Sequence, residues 1–140
     1  TPIIPTFSEA TTFATTMTPG GYHAFEHRWA LDEAFKLHLQ LGKAEVEARI
    51  HALNSYLKKH LQQRPQIELV TPLSPELSAG FTFFRVKGKD SDKIAAYLMT
   101  NKVVADAVER DVGPVIRTAP GLLNDEAQID RLLAILDKAL

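Results

Sequence analysis

The hydrophobic positions change their period part-way along the chain, which predicts helices first and strands afterwards. Apolar residues at approximately helical spacing run from Tyr22 until Gly42 interrupts them, and they predict a helix over 23–41. A second apolar stripe, with spacings of three and four, predicts a helix from Lys43 until Pro65 closes it. That stripe consists of Val46, Ile50, Leu53, Leu57 and Leu61.

The second half of the chain alternates short β-rich segments with helical ones. "QIELVT" and "GFTFFRV" predict strands on either side of the loop "PLSPEL", and "KVVADAV" and "VGPVIRTA" predict two more. Ser91 is the expected cap of a helix over 92–101. Asn124 or Asp125 is the expected cap of a last helix with an apolar stripe. The order of elements predicts an α+β fold, a two-layer small domain whose short, mostly antiparallel sheet is covered on one face by helices.

The composition fits one globular domain and excludes several classes of partner and site. The 140 residues are 45% hydrophobic and 24% charged, with a net charge of -1. Because basic and acidic residues are interleaved, no stripe suits nucleic acid or an anionic membrane, and no apolar run is long enough to span a bilayer. The absence of Cys excludes disulfides, thiolate metal sites and a cysteine nucleophile within this chain.

The first twenty residues are rich in Thr and Pro and read as extended chain. We interpret 1–20 as a connector and 21–140 as the domain. The segment lacks the charged and apolar parts of a signal peptide, and a cytoplasmic location is expected. It also lacks an initiator Met, which suggests processing or a piece of a larger protein.

His23, Glu26 and His27 spell H-x-x-E-H, the inverted signature of a zinc protease. Two imidazoles four residues apart on a helix can grip one ion, with the carboxylate as base. Catalytic zinc needs a third ligand, and the spacing selects neither Glu126 nor Asp130. The alternative is a polar first helical turn, in which Glu26 lies favourably near the positive end of the helix dipole.

Two further features are candidates for binding anions. Gly20 and Gly21 precede the first helix, where unpaired backbone N–H groups suit a phosphate, although an ordinary turn would look the same. Arg117 follows a β-branched run, so it is expected near a strand end, where its guanidinium could bind a carboxylate. The alternative for Arg117 is a surface position or a pair with Asp125 or Glu126 across the loop.

The last part of the chain resembles the C-terminal segment of class V aminotransferase-like enzymes. This fold type I pyridoxal phosphate group includes cysteine desulfurases and isopenicillin N epimerase-like proteins. The resemblance rests on "VIRTAPGLLNDEAQIDRLLAIL", in which a strand ends in Arg117, Asn124 follows seven residues later, and an acidic pair precedes Ile-Asp-Arg-Leu. Upstream, "ALDEAFKLHLQLGKAEVEARIHALNSYLKKHL" is similar to the family's long helix, glycine break and following helix. The similarity covers roughly 17–140.

The resemblance implies a site assembled from more than this chain. It implies that Arg117 and Asn124 bind the substrate, with Arg117 on its α-carboxylate. It implies a homodimer in which Gly21 and Tyr22 contact the phosphate group of the pyridoxal 5'-phosphate bound to the partner subunit. Tyr22 stands where the family usually has Thr. No metal is expected at His23 and His27. The lysine that attaches the cofactor belongs to an N-terminal domain that this chain does not contain.

We therefore predict the C-terminal domain of a pyridoxal phosphate enzyme that acts on an amino acid. Epimerase, lyase and transaminase chemistry stay open, because the groups that divide them lie mostly in the cofactor domain. The resemblance assigns no catalytic residue to this chain, so the chain alone is expected to be inactive. The alternative is a binding or interaction domain that uses the same fold without a cofactor.

Overall fold

The computed structural model of the chain describes residues 25–140, which fall into a first unit that ends at Gln40 and a second unit, Leu41–Leu140. Helix α1, Phe25–Leu41, lies in the first unit apart from its last residue. It has the predicted apolar positions, and none of its residues is buried. The predicted start at residue 23, the connector 1–20, Gly21, Tyr22 and His23 lie outside the described residues.

The second unit contains the predicted alternation of helices and strands, with shorter strands than the sequence suggested. A 3₁₀ turn, Pro75–Leu77, lies within the loop between the first two strands. No helix in residues 25–140 is long and apolar enough to cross a membrane. In chain order the elements are α2 Lys43–Gln62, β1 Ile67–Leu69, β2 Thr82–Val86, α3 Ser91–Thr100, β3 Asp106–Val108, β4 Val115–Thr118 and α4 Glu126–Asp137.

The four strands form one sheet in the order β1-β2-β4-β3, and every neighbouring pair is antiparallel. Phe83 lies opposite Arg117 across β2 and β4, and Asp106 lies opposite Arg117 across β3 and β4. Because side chains alternate across a strand, these three residues share one face of the sheet. The α+β prediction with an antiparallel sheet is confirmed.

Helices α2, α3 and α4 cover the other face of the sheet. That face carries Thr82, Phe84 and Ile116, all fully buried, and the last two belong to the hydrophobic core. All the residues of the predicted apolar stripe of α4 are buried. In the apolar stripe of α2, only the C-terminal residues are buried. Core residues from the helices are Leu53, Leu57, Leu61, Ile94, Leu98, Ile129, Leu132, Leu133 and Leu136.

The cap of α3 differs from the prediction. Asp90, not Ser91, is the N-cap, and its carboxylate accepts from the N–H groups of Asp92 and Lys93. The buried Ser91 hydroxyl donates instead to the carbonyl of Pro114 at 3.3 Å. Both residues are good caps, and the aspartate lies one position earlier, where the chain is still extended. At α4 the cap is Asp125, which forms a reciprocal capping box with Gln128.

Polar contacts join α2 and its C-terminal extension to α4 along their length. The Tyr56 hydroxyl donates to Asp130 at 2.9 Å, and Arg49 and Arg64 form ion pairs with Glu126 and Asp137. The ion pairs hold the pKa of the Glu126 and Asp137 carboxyls below their usual ranges, chiefly through the hydrogen bonds from the arginines. These contacts fix the position at which α4 begins, and therefore the position of the loop before it.

Candidate functional site

A cavity of about 520 Å³ opens where the β4 strand ends and the chain turns towards α4. Its walls come from the segment between α3 and β3, from the end of β4 with the following loop, and from the first turns of α4. Apolar groups such as Val103 and Ile129 line part of it, and polar groups from Arg117 and Asn124 line another part. The two residues that the sequence resemblance paired, seven positions apart, therefore line the same cavity.

Asp106 holds the Arg117 guanidinium at the edge of this cavity. Nη2 of Arg117 donates to Oδ2 of Asp106 at 2.5 Å, and Nε donates to the same oxygen at 3.2 Å. The guanidinium also lies over the ring of Phe81, 5.6 Å from its centroid. The alternative pairing with Asp125 or Glu126 is wrong, because Asp125 caps its own helix and Glu126 is bound by Arg49.

Arg117 keeps hydrogen-bonding capacity for a ligand. A guanidinium has five N–H groups, and the contacts with Asp106 use two of them. Nη1 donates no hydrogen bond to any group within residues 25–140. Because Nη1 and Nη2 lie side by side in one plane, they can present a pair of parallel N–H groups to a second carboxylate. The guanidinium is therefore oriented by Asp106, and its Nη1–Nη2 edge is available to a ligand.

Asn124 uses its side chain to fix the loop between β4 and α4. Its Oδ1 accepts from the backbone N–H of Gly121 at 2.8 Å, and its Nδ2 donates to Oε1 of Gln128 at 2.8 Å. The carbonyl of Asn124 accepts from Nη2 of Arg49 at 3.2 Å. The residue is thus held from three directions, and one N–H of its amide is left for a group in the cavity.

Asn54, which was not among the predicted site residues, lies on α2 and holds the same loop through a hydrogen bond. Its Nδ2 donates to the carbonyl of Pro120 at 3.3 Å, and its Oδ1 accepts from the Thr82 hydroxyl at 3.1 Å. Asn54 and Thr82 are both almost completely buried. A signal was available in the sequence, since Asn54 is a polar residue beside the apolar stripe of α2. The identity of its partners depends on tertiary structure and could not be predicted.

Lys58 is a second buried polar residue that the sequence analysis missed. Its ammonium group donates to the carbonyls of Pro72 and Leu73 and to the Ser78 hydroxyl, at 2.9, 3.0 and 2.7 Å. Burial lowers the pKa of Lys58. All three N–H groups are occupied, so this lysine anchors the loop between β1 and β2 to α2.

The inverted zinc-protease motif receives no support from the described part of the chain. Glu26 and His27 are exposed on α1, and His23 lies outside the described residues. Residues 25–140 contain no group of three His, Cys, Asp or Glu side chains that could hold a metal ion. Whether metal binds at His23 and His27 stays a prediction, as do the contacts expected from Gly21 and Tyr22.

Comparison with known proteins decides the family. The model of the kynureninase C-terminal domain family matches residues 46–136, which include the cavity. The chain belongs to the kynureninase C-terminal domain family.

Similar proteins place this kynureninase C-terminal-type domain within the class V aminotransferase-like group of pyridoxal phosphate enzymes, as the sequence resemblance predicted. The chain is 33% identical over 110 residues to an isopenicillin N epimerase of Streptomyces clavuligerus, covering 77% of this chain and 28% of that protein. It is 28% identical over 109 residues to the isopenicillin N epimerase of Amycolatopsis lactamdurans, covering 76% of this chain and 27% of that protein.

Solved structures show the same small domain at the level of the fold. A variant of C-DES with glycine covalently linked to its pyridoxal phosphate cofactor matches with a TM-score of 0.70 and 25% identity, covering 83% of this chain and 30% of that chain. A cysteine desulfurase from Thermococcus onnurineus NA1 matches with a TM-score of 0.66 and 16% identity, covering 71% of this chain and 27% of that chain. The kynureninase C-terminal-type domain thus spans 28% and 27% of the length of the two epimerases it matches.

Proposed function

We propose that this chain is the C-terminal small domain of a homodimeric pyridoxal phosphate-dependent enzyme that acts on an amino acid. The observation that carries the proposal is the Arg117 guanidinium, oriented by Asp106 at the edge of the cavity with N–H groups still available. A planar, permanently charged fork suits a carboxylate, and an α-carboxylate is the group that all amino-acid substrates share.

The described residues supply the substrate side of the proposed site. Asp106 is the only acidic residue that lines the cavity in residues 25–140, and it is bonded to Arg117. It is therefore not free to pair with a pyridine nitrogen, so the groups that hold the cofactor ring must come from elsewhere. We propose that Gly21 and Tyr22 contact the cofactor phosphate of the partner subunit, which rests on the family resemblance alone.

Within such an enzyme the chain would bind and orient the substrate. Pyridoxal phosphate, when bound, supplies the electron sink that weakens bonds at the α carbon of an amino acid. Arg117 would fix the α-carboxylate, and fixing it determines which bond of the α carbon points in a given direction. Asn124 would close the loop beside the carboxylate, its backbone and side chain being held by Arg49, Gly121 and Gln128.

The proposed reaction is a transformation of an amino acid that uses pyridoxal phosphate, without a commitment to one reaction type. The relatives include isopenicillin N epimerases and, among solved structures, cysteine desulfurases. The stronger sequence similarity is to the epimerases, which favours an epimerase-like substrate for this chain. Epimerase, lyase and transaminase activities should therefore all be assayed, starting with racemisation of the α carbon.

The test compares ligands with and without the carboxylate. In a longer protein that joins this chain to its cofactor domain, an amino acid and its uncharged amide are titrated against wild type and Arg117→Ala. The substitution should weaken amino-acid binding about ten- to a hundredfold, because a charge-assisted hydrogen bond contributes about 1.5 to 3 kcal/mol, and should leave the amide unaffected. Arg110→Ala is the control, since Arg110 lies over Phe83 outside the cavity. Equal effects on both ligands, or none, would refute the proposed role.

A further inference from the structure

The same cavity contains two more cations that the proposed carboxylate site does not use. Lys102 and Arg131 both line it, together with Arg117. Asp106 is the only acidic residue among the described residues that line the cavity, and it is paired with Arg117. Within residues 25–140 neither Lys102 nor Arg131 forms an ion pair. The cavity therefore has an excess of positive charge that no described carboxylate balances.

A hydrogen bond holds the Arg131 guanidinium against the backbone beside Lys102. Nη2 of Arg131 donates to the carbonyl of Asn101 at 3.1 Å, and Lys102 is the next residue. Like charges repel, and the cost falls when an anion lies between them. Arg131 is bonded to the peptide group that joins Asn101 to Lys102, and its remaining N–H groups are free for a ligand. Together with the Lys102 ammonium group, it can therefore form an anion site.

The backbone of Lys102 gives an independent indication. Its φ is +61°, and in residues 25–140 it is the only residue other than glycine with a positive φ. The N–H of Lys102 bonds to Met99 and that of Val103 to Leu98, which is the glycine-type termination of α3. Glycine or asparagine fits this position with less strain than lysine. A lysine in a strained conformation on a cavity wall is more easily explained by its charge than by its contribution to the helix end.

We propose that Lys102 and Arg131 bind a second anionic group of the substrate, so that the enzyme takes amino acids with a carboxylate at the far end of the side chain. This inference rests on the proposed function, in which Arg117 binds the α-carboxylate. The two anions of one ligand would then be held at two positions in one cavity, with apolar wall such as Val103 and Leu132 along the connecting methylenes. Substrates with a neutral side chain would use Arg117 alone.

The experiment titrates the 140-residue chain itself with simple acids, followed by chemical-shift changes of the cavity residues. The probes are butyrate and a series of dicarboxylates from succinate to suberate, at low ionic strength because salt screens exposed charges. One dicarboxylate length should bind about tenfold more tightly than butyrate, and Lys102→Asn and Arg131→Gln should each reduce that preference about three- to fivefold. Lys102→Asn keeps a residue suited to positive φ, so the helix end should be preserved. Lys89→Asn, an exposed lysine outside the cavity, is the matched control and should change nothing.

The outcomes separate this inference from the proposed function. Arg117→Ala should weaken butyrate and the dicarboxylates alike. If it does, but dicarboxylates bind no better than butyrate, or Lys102→Asn and Arg131→Gln weaken both acids equally, the second anion site is wrong and the role of Arg117 stands. If Arg117→Ala changes neither acid while the other two variants selectively weaken dicarboxylates, the proposed role of Arg117 is wrong and the anion site at Lys102 and Arg131 stands.

Discussion

Replacing Asn54 by Leu should destabilise the domain strongly, because Asn54 joins α2 to both the sheet and the loop after β4. Leu has the same number of side-chain heavy atoms and the same branch point, and it removes the amide. The carbonyl of Pro120 loses its donor, and the Thr82 hydroxyl loses its acceptor in a fully buried position. A lost hydrogen bond costs about 0.5 to 1.5 kcal/mol, and a buried unsatisfied group about 1 to 3 kcal/mol. The expected loss in the free energy of unfolding is about 2 to 4 kcal/mol.

The assay is urea and thermal unfolding of purified chain followed by circular dichroism. At about 4 °C per kcal/mol for a domain of this size, Tm should fall by roughly 8 to 16 °C. Adding Thr82→Val to Asn54→Leu removes the hydroxyl that has lost its acceptor. The double variant should regain about 1 to 2 kcal/mol of unfolding free energy, since two apolar partners cost less than one unsatisfied polar group. Thr100→Val, which removes an exposed hydroxyl bonded to Ala96, should change stability little. A change under about 1 kcal/mol for Asn54→Leu, or no rescue by Thr82→Val, would refute this reasoning.

Three further predictions concern pH, metal and cofactor. Arg64 and Arg49 lower the folded-state pKa of Asp137 and Glu126, so both pairs stabilise the fold above the unfolded-state pKa, about 4, and this contribution is lost as pH falls through the folded values. The urea midpoint should therefore fall with acidification less steeply in Arg64→Gln than in wild type, and identical slopes would contradict the linkage. Chain purified without a His tag should contain well under one equivalent of zinc, and a full equivalent lost in the His23→Ala, His27→Ala double variant would revive the protease interpretation. The isolated chain should leave the absorption spectrum of pyridoxal phosphate unchanged; a stoichiometric, borohydride-trapped adduct at one lysine would defeat this.

The periodicity of apolar residues was sufficient to predict the helices and the fold class. Ile129, Leu132, Leu133 and Leu136 are buried as their spacing required, and α2 ends three residues before Pro65. Strand limits were predicted less well. The β-propensity of "KVVADAV" predicts one strand from Lys102, whereas β3 is only Asp106–Val108, because Lys102 and Val103 terminate α3 instead. β-propensity alone does not distinguish a strand from an apolar helix end.

The cavity could be predicted only in part. The seven-residue step from Arg117 to Asn124 identified two of its lining residues, because the step is local in sequence. Asp106 could not be identified as the partner of Arg117, since that contact depends on the register of β3 against β4. Lys102 and Arg131 are 29 residues apart, and their proximity depends on α4 packing beside the end of α3. Register and helix packing are decided by tertiary contacts that a single sequence does not display.

The most direct test of the central claim is a crystal structure of the longer protein with pyridoxal phosphate and an amino-acid substrate analogue bound. Both oxygens of the α-carboxylate are expected to lie about 3 Å from Nη1 and Nη2 of Arg117, with Asp106 still bonded to the guanidinium. A carboxylate bound to other basic groups, with Arg117 contacting only Asp106, would contradict it.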